Sequence, residues 1–268
     1  MERPSWAPHE VDLEKPSAAR VYDYYLGGSH NFAVDRQMAR RALELWPELP
    51  ELMQANRAFL RRAVRYLVER GITQFLDIGS GIPTVGNVHE VAQAALPQAR
   101  VVYVDVDPVA VAHSRAILAG NSRADVVQAD LRDVAAILHD PRTMRLLDMT
   151  QPIGVLMVAL LHFVPDEADP VKIITNYHEV MAPGSYLAVS HASHEGRPDQ
   201  AGSHTALYQR TSTPMTMRSR SQIEALVAEF DPVAPGVVLL PLWRPESPDD
   251  VDDRPERFTG YAAVGRRG

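Results

Sequence analysis

Cysteine is absent from this 268-residue chain, which excludes disulfides, thiolate metal sites and every reaction that uses a cysteine nucleophile. A chain of this length can bury enough apolar surface to fold without a disulfide or a metal. The absence of cysteine also fits a reducing compartment, so we expect a cytoplasmic protein. His191, His194 and His204 lie close in sequence but have no acidic residue at a metal-ligand spacing, and we predict no metal site.

The chain also lacks a basic stripe and a long hydrophobic run. Its formal net charge is −7, and its lysines and arginines are scattered. A protein that grips a phosphate backbone usually presents clustered positive charge, so we do not expect a nucleic acid partner. The longest apolar run, residues 153–161, is far shorter than the roughly 20 residues that span a bilayer. The N-terminal residues lack an apolar signal segment, and we expect no membrane association.

Hydrophobic periodicity divides the chain into a helical first part and an alternating second part. Residues 1–70 contain three segments with helical spacing, which begin near Ser17 and then cover Val34–Trp46 and Glu51–Arg70. Residues 71–268 contain short apolar runs separated by helix-length segments, an alternation typical of parallel strands joined by right-handed crossovers. We therefore expect a helical N-terminal cover at 1–70 and an α/β domain at 71–268, together forming one compact unit.

The last two predicted strands have no helix between them, which indicates an antiparallel hairpin at a sheet edge. We therefore predict an α/β fold with a doubly wound, seven-stranded, mostly parallel sheet and an antiparallel C-terminal hairpin. The predicted strands are Gln74–Ile78, Ala99–Asp105, Ala124–Gln128, Pro152–Ala159, Ser185–His191, Val237–Leu242 and Phe258–Val264. The predicted helices between them are Val85–Leu96, Val109–Ala119, Leu131–Leu138 and Ala168–Met181.

A glycine turn follows the first predicted strand, where a parallel sheet binds its ligands. Gly79 and Gly81 can adopt positive φ and let backbone N–H groups approach a ligand, and Pro83 can open the next helix. A dinucleotide fingerprint needs a third glycine where Thr84 stands. Asp77 would repel a pyrophosphate but accept a hydrogen bond from an ammonium group. The motif therefore favours the amino-acid part of S-adenosylmethionine (SAM) over a nicotinamide dinucleotide, with a plain tight turn as the alternative.

Acidic residues also follow the second and third predicted strands. Asp105 can receive both ribose hydroxyls, with Val106 and Asp107 beside it. The alternative for Asp105 is a turn aspartate before Pro108, a role that Asp107 fits better. Hydrogen bonds to a charged acceptor contribute roughly 1.5–3 kcal/mol. Asp130 can accept from an adenine amino group while Leu131 packs on the ring, and a helix N-cap is the alternative for Asp130. Three acids at successive strand ends strengthen the prediction of a SAM site.

The order of the glycine turn, Asp105 and Asp130 is similar to that of class I SAM-dependent methyltransferases. Residues 19–36 and 82–90 resemble, more narrowly, the signature of bacterial S-adenosyl methyltransferases first listed as a domain of unknown function. This resemblance runs from about Ser17 to Arg267. It implies a Rossmann-like class I fold, SAM as cofactor and S-adenosylhomocysteine as product, but no particular acceptor.

The resemblance also implies that the N-terminal block contacts the cofactor, and its aromatic residues surround a Gly-Gly break. An aromatic face can hold a sulfonium cation for roughly 0.5–2 kcal/mol, so we predict a lid that bends at this break, with packing alone as the alternative. For the two asparagines we expect contacts to the SAM carboxylate, with turn or capping roles as the alternative. The predicted cofactor contacts outside the strand ends are Asp23, Tyr24, Gly27, Gly28, Asn31 and Asn87, and the aromatic residues are Tyr22, Tyr24, Tyr25 and Phe32.

The segment after the fourth predicted strand should line the methyl side of the site. Ala159 begins it, and His162 is the best candidate for a general base because histidine titrates near neutrality. A packed loop histidine is the alternative. The segment lacks the Asn/Asp-Pro-Pro-aromatic motif used by many enzymes that methylate exocyclic amines of DNA bases, and it resembles the corresponding loop of small-molecule methyltransferases.

Three functions are consistent with these observations. The first is transfer of a methyl group from SAM to an oxygen or nitrogen atom of a small-molecule acceptor, by a monomer or homodimer. The second is a nicotinamide oxidoreductase, against which Thr84 and the N-terminal block argue. The third is a SAM-binding sensor without catalysis, which would bind the cofactor but have no accessible acceptor pocket.

Overall fold

Three helices form the N-terminal cover: α1 (Ala18–Tyr25), α2 (Ala33–Leu45) and α3 (Leu49–Glu69). The computed structural model describes residues 7–9, 11–83, 86–209, 211 and 213–268. The longest of these helices, α3, carries Pro at its N-terminal end and buries one continuous stripe. That stripe, which includes Phe59, belongs to the same hydrophobic cluster as Phe75 of the sheet. Cover and sheet therefore share one core.

Eight strands form a single sheet in the described part of the chain, in the order β3-β2-β1-β4-β5-β8-β6, with β7 paired to β8. Strands β1 to β5 are parallel, and β8 runs antiparallel to β5, β6 and β7. The strands are β1 Gln74–Ile78, β2 Arg100–Asp105, β3 Ala124–Gln128, β4 Gly154–Val158, β5 Tyr186–Ala192, β6 Asp231–Pro232, β7 Val238–Leu239 and β8 Gly260–Arg266.

Helices cover both faces of the sheet. Successive side chains of a strand point to opposite faces, so a strand that is apolar throughout needs a packed layer on each face. Val101 and Tyr103 of β2 pack in the core shared with the N-terminal cover, whereas Val102 and Val104 pack in a second core on the other face. The remaining helices are α4 Val88–Ala95, α5 Pro108–Ile117, α6 Val134–Leu138, α7 Pro141–Leu146, α8 Pro170–Val180, α9 Pro198–Tyr208 and α10 Arg220–Leu226.

The predicted α/β fold is confirmed, with its parallel sheet, terminal antiparallel strands and helical cover. The sheet has one strand more than the seven predicted, because β6 is a two-residue strand that contains a proline and shows no hydrophobic run. Three further helices, α7, α9 and α10, are not among those predicted from the sequence. The start of the helix predicted from Val85 lies outside the described residues, and α4 begins at Val88.

A buried ion network joins the cover to the end of β2. Arg20 Nε donates to Asp35 Oδ2 at 2.9 Å, and Arg20 Nη1 donates to Asp107 Oδ2 at 3.1 Å. Ser17 adds its backbone N–H to Asp35 Oδ1 at 3.0 Å and its hydroxyl to Asp107. All four side chains are buried. Separating the partners of such a network would leave uncompensated buried charges. The network therefore holds α1 against the end of β2.

Candidate functional site

A cavity of about 420 Å³ lies beyond the carboxyl ends of β1 to β4. The sheet order reverses between β1 and β4, and such a switch point is where open parallel sheets bind ligands. We call it the larger cavity. Nine of the predicted site residues line it: Asp77, Gly79, Gly81, Asp105, Val106, Asp107, Asp130, Leu131 and Ala159. The three strand-end acids, which are far apart in sequence, therefore face one space.

The glycine turn after β1 brings backbone close to the next strand. Gly79 and Gly81 have φ of +70° and +67°, values that side-chain-bearing residues rarely adopt. A Cβ atom at Gly79 would lie 2.5 Å from Leu160 Cδ1, so a side chain here would also force Leu160 to move. Gly81 N donates to Asp105 Oδ2 at 2.7 Å, and Asp107 N donates to Asp105 Oδ1 at 2.8 Å. Backbone hydrogen bonds thus hold the Asp105 carboxylate at the cavity wall.

Two groups of opposite charge face the same part of the larger cavity. Burial raises the pKa of Asp77 to about 7, and the nearby Arg57 guanidinium acts in the opposite direction. Arg57 Nη2 donates to the Gly86 carbonyl at 3.1 Å, and its Nε is buried without a hydrogen-bond partner among the described residues. Both side chains line the cavity. An amino acid zwitterion, with one ammonium and one carboxylate, is the kind of group that this pair can bind.

Sequence reasoning missed Arg57, which lies in the cover rather than at a strand end. It is one of several arginines along α3, among them Arg61, Arg62 and Arg65, and neither its spacing nor its neighbours distinguish it. Only the packing of α3 across the sheet brings this guanidinium to Asp77.

The third strand end differs from its predicted arrangement. Arg132 Nε donates to Asp130 Oδ1 at 2.9 Å, and this ion pair lowers the pKa of Asp130. The alternative assignment of Asp130 as a helix N-cap is wrong, because Asp133 caps α6 through the Ala136 N–H at 2.9 Å. Asp107, in contrast, does cap α5. Asp130 stays a candidate contact for an adenine amino group, with Arg132 beside it at the same wall.

Seven predicted cofactor contacts lie outside the residues that line the larger cavity: Asp23, Tyr24, Gly27, Gly28, Asn31, Pro83 and Asn87. The Asp23 carboxylate accepts from His30 N at 2.9 Å and from Asn31 Nδ2 at 2.8 Å. A Cβ atom at Gly28 would lie 2.0 Å from Asp23 Oδ1. These contacts build the turn after α1, which is the alternative stated for Asn31.

At the start of α4, Asn87 N donates to Glu90 Oε2 at 3.0 Å, a capping arrangement. Tyr24 packs against the core shared by cover and sheet. Direct cofactor contacts of these seven residues therefore stay a prediction, and the lid bending at Gly27-Gly28 stays one as well.

A second cavity, of about 70 Å³, adjoins the first beneath the cover, and we call it the smaller cavity. Five residues line both: Ala18, Tyr22, Asn56, Ala159 and Phe163. Ala159 follows β4 with φ of +56°, an uncommon conformation for a residue with a side chain. Strain of this kind persists only when the surroundings impose it, and it often marks a functional site. The surrounding structure therefore imposes the backbone conformation at the junction of the two cavities.

Hydrogen bonds fix the wall at this junction. Asn56 Nδ2 donates to the Tyr22 hydroxyl at 2.9 Å, and Asn56 Oδ1 accepts from the Ser190 hydroxyl. Ser190 Oγ in turn accepts from Ala159 N at 2.8 Å. One chain of hydrogen bonds thus links α1, α3, β5 and the end of β4. Because its members are buried or partly buried and paired, it holds the boundary in a single geometry.

The candidate base His162 lines the smaller cavity and is buried. Burial, followed by nearby His191 and Arg218, lowers its pKa well below the ordinary value, so the ring is neutral near pH 7. Its Nδ1 accepts from Ala192 N at 3.2 Å, which places the ring proton on Nε2. In this tautomer Nε2 is a donor. The geometry favours a hydrogen-bond donor over the predicted base, which stays a prediction.

Arg218, which the sequence analysis did not select, holds the segment that carries His162. Its guanidinium donates to the carbonyls of Leu161 and Val164 at 3.0 and 2.8 Å. It also contacts His191 Nε2 at 2.9 Å, and burial lowers the pKa of His191 to about 3. These buried contacts position the loop after β4 against β5.

No group of three or more His, Asp or Glu side chains among the described residues could hold a metal ion. No helix among them is long and apolar enough to cross a membrane.

Comparisons with known proteins agree with this geometry. The family model for S-adenosyl methyltransferases matches residues 4–268. A crystal structure of a DUF574 family protein from Streptomyces avermitilis MA-4680 is 39% identical, with a TM-score of 0.92, and covers 96% of this chain and 99% of its own. A candidate methyltransferase from Thermobifida fusca YX is 40% identical, with a TM-score of 0.91, and covers 98% and 99%.

A more distant structure shows the fold alone. The pyocyanin biosynthetic protein PhzM is 18% identical, with a TM-score of 0.50 over 85% of this chain and 61% of its own. The search of curated proteins found no match. On the family model and the two similar structures, the chain belongs to the S-adenosyl methyltransferase family, and its cofactor is S-adenosylmethionine.

Proposed function

We propose that this protein transfers the methyl group of SAM to an oxygen or nitrogen atom of a small-molecule acceptor bound in the smaller cavity. The observation that carries the proposal is the junction of the two cavities. A charged cavity at the strand ends meets an aromatic cavity across Ala159, Phe163 and Tyr22. A cofactor in one and an acceptor in the other would meet at these residues.

The larger cavity suits the three parts of SAM. Arg57 and Asp77 offer a charge partner for the carboxylate and the ammonium of the amino acid part, and the unpartnered Arg57 Nε supports this assignment. Asp105, held by two backbone N–H groups, has lone pairs left for ribose hydroxyls. Leu131 and the exposed Val106 provide apolar surface at the wall beyond Asp105. When bound, SAM supplies an electrophilic methyl group.

The residues of this chain contribute by positioning rather than by acid–base chemistry. Methyl transfer is an in-line displacement, so holding the acceptor atom in line with the methyl group provides most of the rate. Ala159 is small enough to leave the junction open, and the Tyr22-Asn56-Ser190 hydrogen bonds keep its shape. His162 Nε2 can donate to the acceptor and orient it.

A SAM-binding sensor without catalysis is the second candidate function. The small volume of the smaller cavity, about 70 Å³, favours it. An engineered cavity of roughly 150 Å³ was needed to hold benzene in another protein. A sensor would bind SAM and leave its methyl group untouched.

Incubation of the purified protein with methyl-labelled SAM and fractionated small-molecule extracts distinguishes the two functions. We expect S-adenosylhomocysteine to accumulate in at least one fraction, with the label in an organic product. The matched control is the Asp105→Asn variant, which should lose SAM binding and product formation together. Tight SAM binding without label transfer in any fraction would favour the sensor, and no SAM binding at all would overturn both.

A further inference from the structure

The walls of the smaller cavity are aromatic and uncharged. No Asp, Glu, Lys or Arg side chain is among the described residues that line it. Its histidines are neutral near pH 7, because burial lowers the pKa of His204 to about 4 and that of His191 to about 3. A charged ligand in such a place would be desolvated without an ionic partner. The cavity therefore selects against charged molecules.

Aromatic rings and thioethers make up much of the lining, including Tyr25, Trp46, Phe163, Tyr208 and Met215. Several of these rings are tilted or edge-on to one another, as in the Phe163–Tyr208 and His204–Tyr208 pairs, with centroids 5.8 and 5.0 Å apart. Flat hydrophobic ligands gain offset or edge contacts with such walls, and methionine adapts to their outline. The lining therefore favours a planar aromatic ring.

The lining also contains buried polar atoms that have no partner in the part of the chain that the structure describes. They are both ring nitrogens of His204 and the indole Nε1 of Trp46. These two side chains are 4% and 1% exposed and pack edge to face with centroids 5.7 Å apart. A buried polar group without a partner is costly, and most have one in native proteins. Neutral His204 offers one donor and one acceptor, and Trp46 offers a donor.

The smaller cavity has to expand before it can hold an aromatic ring, since its volume is about 70 Å³. His204 and Tyr208 both lie on α9, which forms one wall. Displacement of this wall would uncover the His204 nitrogens, and a ligand with a hydroxyl or ring N–H would supply their missing partners. A ligand bound against α9 would therefore form hydrogen bonds that the His204 nitrogens lack within the described part of the unliganded protein.

From these observations we propose that the acceptor is an uncharged aromatic molecule with a hydroxyl or ring N–H group, which hydrogen-bonds to His204. His204 is then a binding residue of the acceptor site. This inference rests on the proposed function, because it assumes that the smaller cavity receives the acceptor.

Calorimetric titration of the full-length protein, saturated with S-adenosylhomocysteine, tests this inference. The probes are two pairs of equal shape: 2-naphthol with 2-naphthoate, and phenol with benzoate. We expect at least one phenol to bind, and to bind about tenfold or more tightly than its carboxylate. Equal affinity within both pairs would overturn the proposal, and so would the failure of both phenols to bind.

The His204→Phe variant isolates the hydrogen bond, since it keeps an aromatic ring and removes both nitrogens. We expect the affinity for the bound phenol to fall about tenfold, with unchanged S-adenosylhomocysteine binding and no loss of thermal stability. His194→Phe, at an exposed position after β5, is the matched control and should change nothing. An unchanged phenol affinity in His204→Phe would overturn the role of His204.

Should His204→Phe fail to fold, His204→Asn provides a second measurement, because an amide keeps a donor and an acceptor. This variant should retain phenol binding better than His204→Ala, and equal losses in the two would count against the hydrogen bond.

S-adenosylhomocysteine binding, measured in the same samples, distinguishes failure of the proposed function from failure of this inference. Its absence in the wild-type protein would defeat the proposed function, whereas its presence without phenol selectivity would defeat only this inference.

Discussion

The two cavities differ in how they are built. The larger cavity contains charged side chains, and most of its wall comes from short motifs at the ends of consecutive strands. The smaller cavity is aromatic and uncharged, and its wall comes from the cover, the loop after β4, β5, α9 and residues near 215, 240 and 260. Most of the candidate cofactor wall is thus local in sequence, with Arg57 of the cover as an exception, whereas the candidate acceptor site depends on long-range packing. Variants that affect one cavity and spare the other test this contrast.

The largest effect is expected from a substitution that destabilises the whole fold and so removes both cavities together. Arg20→Met leaves the carboxylates of Asp35 and Asp107 buried without their cation, and breaking a buried pair in this way costs about 3–5 kcal/mol. We expect the free energy of unfolding, measured by urea denaturation, to fall by that order. Arg40→Met, at an exposed position on α2, is the control. A change no larger than that of the control would show that the network does not hold the cover.

A substitution in the glycine turn should remove cofactor binding alone. Gly79→Val places a Cβ atom against Leu160 in a residue with φ of +70°, so the turn has to move. We expect S-adenosylhomocysteine affinity, measured by calorimetry, to fall by about 100-fold or more. Gly71→Val carries a similar backbone strain, φ +87°, in open space away from the cavity. Similar binding losses in both variants would point to general destabilisation instead.

If Arg57 binds the carboxylate of the cofactor, its substitution should weaken only ligands that carry the amino acid part. Arg57→Met keeps the length of the side chain but removes the charge that faces the amino acid carboxylate. Hydrogen bonds to charged groups contribute about 1.5–3 kcal/mol, so S-adenosylhomocysteine should bind about 10- to 100-fold more weakly. Methylthioadenosine, which lacks the amino acid, should bind equally to both proteins. The control is Arg61→Met, one helical turn away. Equal losses for the two ligands would contradict the assignment.

Cofactor binding should depend on pH through Asp77. Burial raises its pKa to about 7 in the empty protein, so much of the carboxyl group is protonated below neutrality. A bound ammonium favours the ionised form and lowers that pKa, so binding releases a proton. Affinity should therefore rise between about pH 6 and 8 and then level off. Calorimetry in buffers of different ionisation enthalpy measures the released proton.

Asp77→Asn is the control for this pH dependence. The variant should bind more weakly and release fewer protons, with a residual dependence at lower pH from Asp105, whose pKa burial raises to about 6. A wild-type pH profile in Asp77→Asn would assign the effect to another group.

The smallest effect on turnover is expected from the substitution His162→Gln. Glutamine can accept from Ala192 N through its carbonyl and donate from its amide, so it copies the tautomer that the structure favours. We expect His162→Gln to keep turnover within a few-fold once an acceptor is found, and His162→Leu to lose more. A general base contributes about 10²–10⁴-fold. A loss of that size in both variants would restore His162 as the base.

The five parallel strands and the converging acids could be predicted because each depends on a local pattern. Short apolar runs mark β1 to β5, and a glycine turn or an acid at the end of a strand needs only its neighbours to be recognised. β6 could not be predicted, because two residues held only by pairing with β8 leave no hydrophobic signal. The seven predicted contacts outside the larger cavity stay predictions, because residues that build a turn and residues that bind a ligand can give the same sequence signature.

The sequence by itself determined the sheet, its ligand-binding edge and three of the acids that face the larger cavity, because strand period and strand-end chemistry are written in consecutive residues. Only the tertiary structure decided that Arg57 and Asp77 line one cavity and that His162 Nδ1 accepts from Ala192 N. It also decided that the ring nitrogens of His204 are buried without a hydrogen-bond partner among the described residues. These facts depend on which helix crosses which strand. Burial and hydrogen-bond pairing are properties of packed neighbours, which no short stretch of sequence contains.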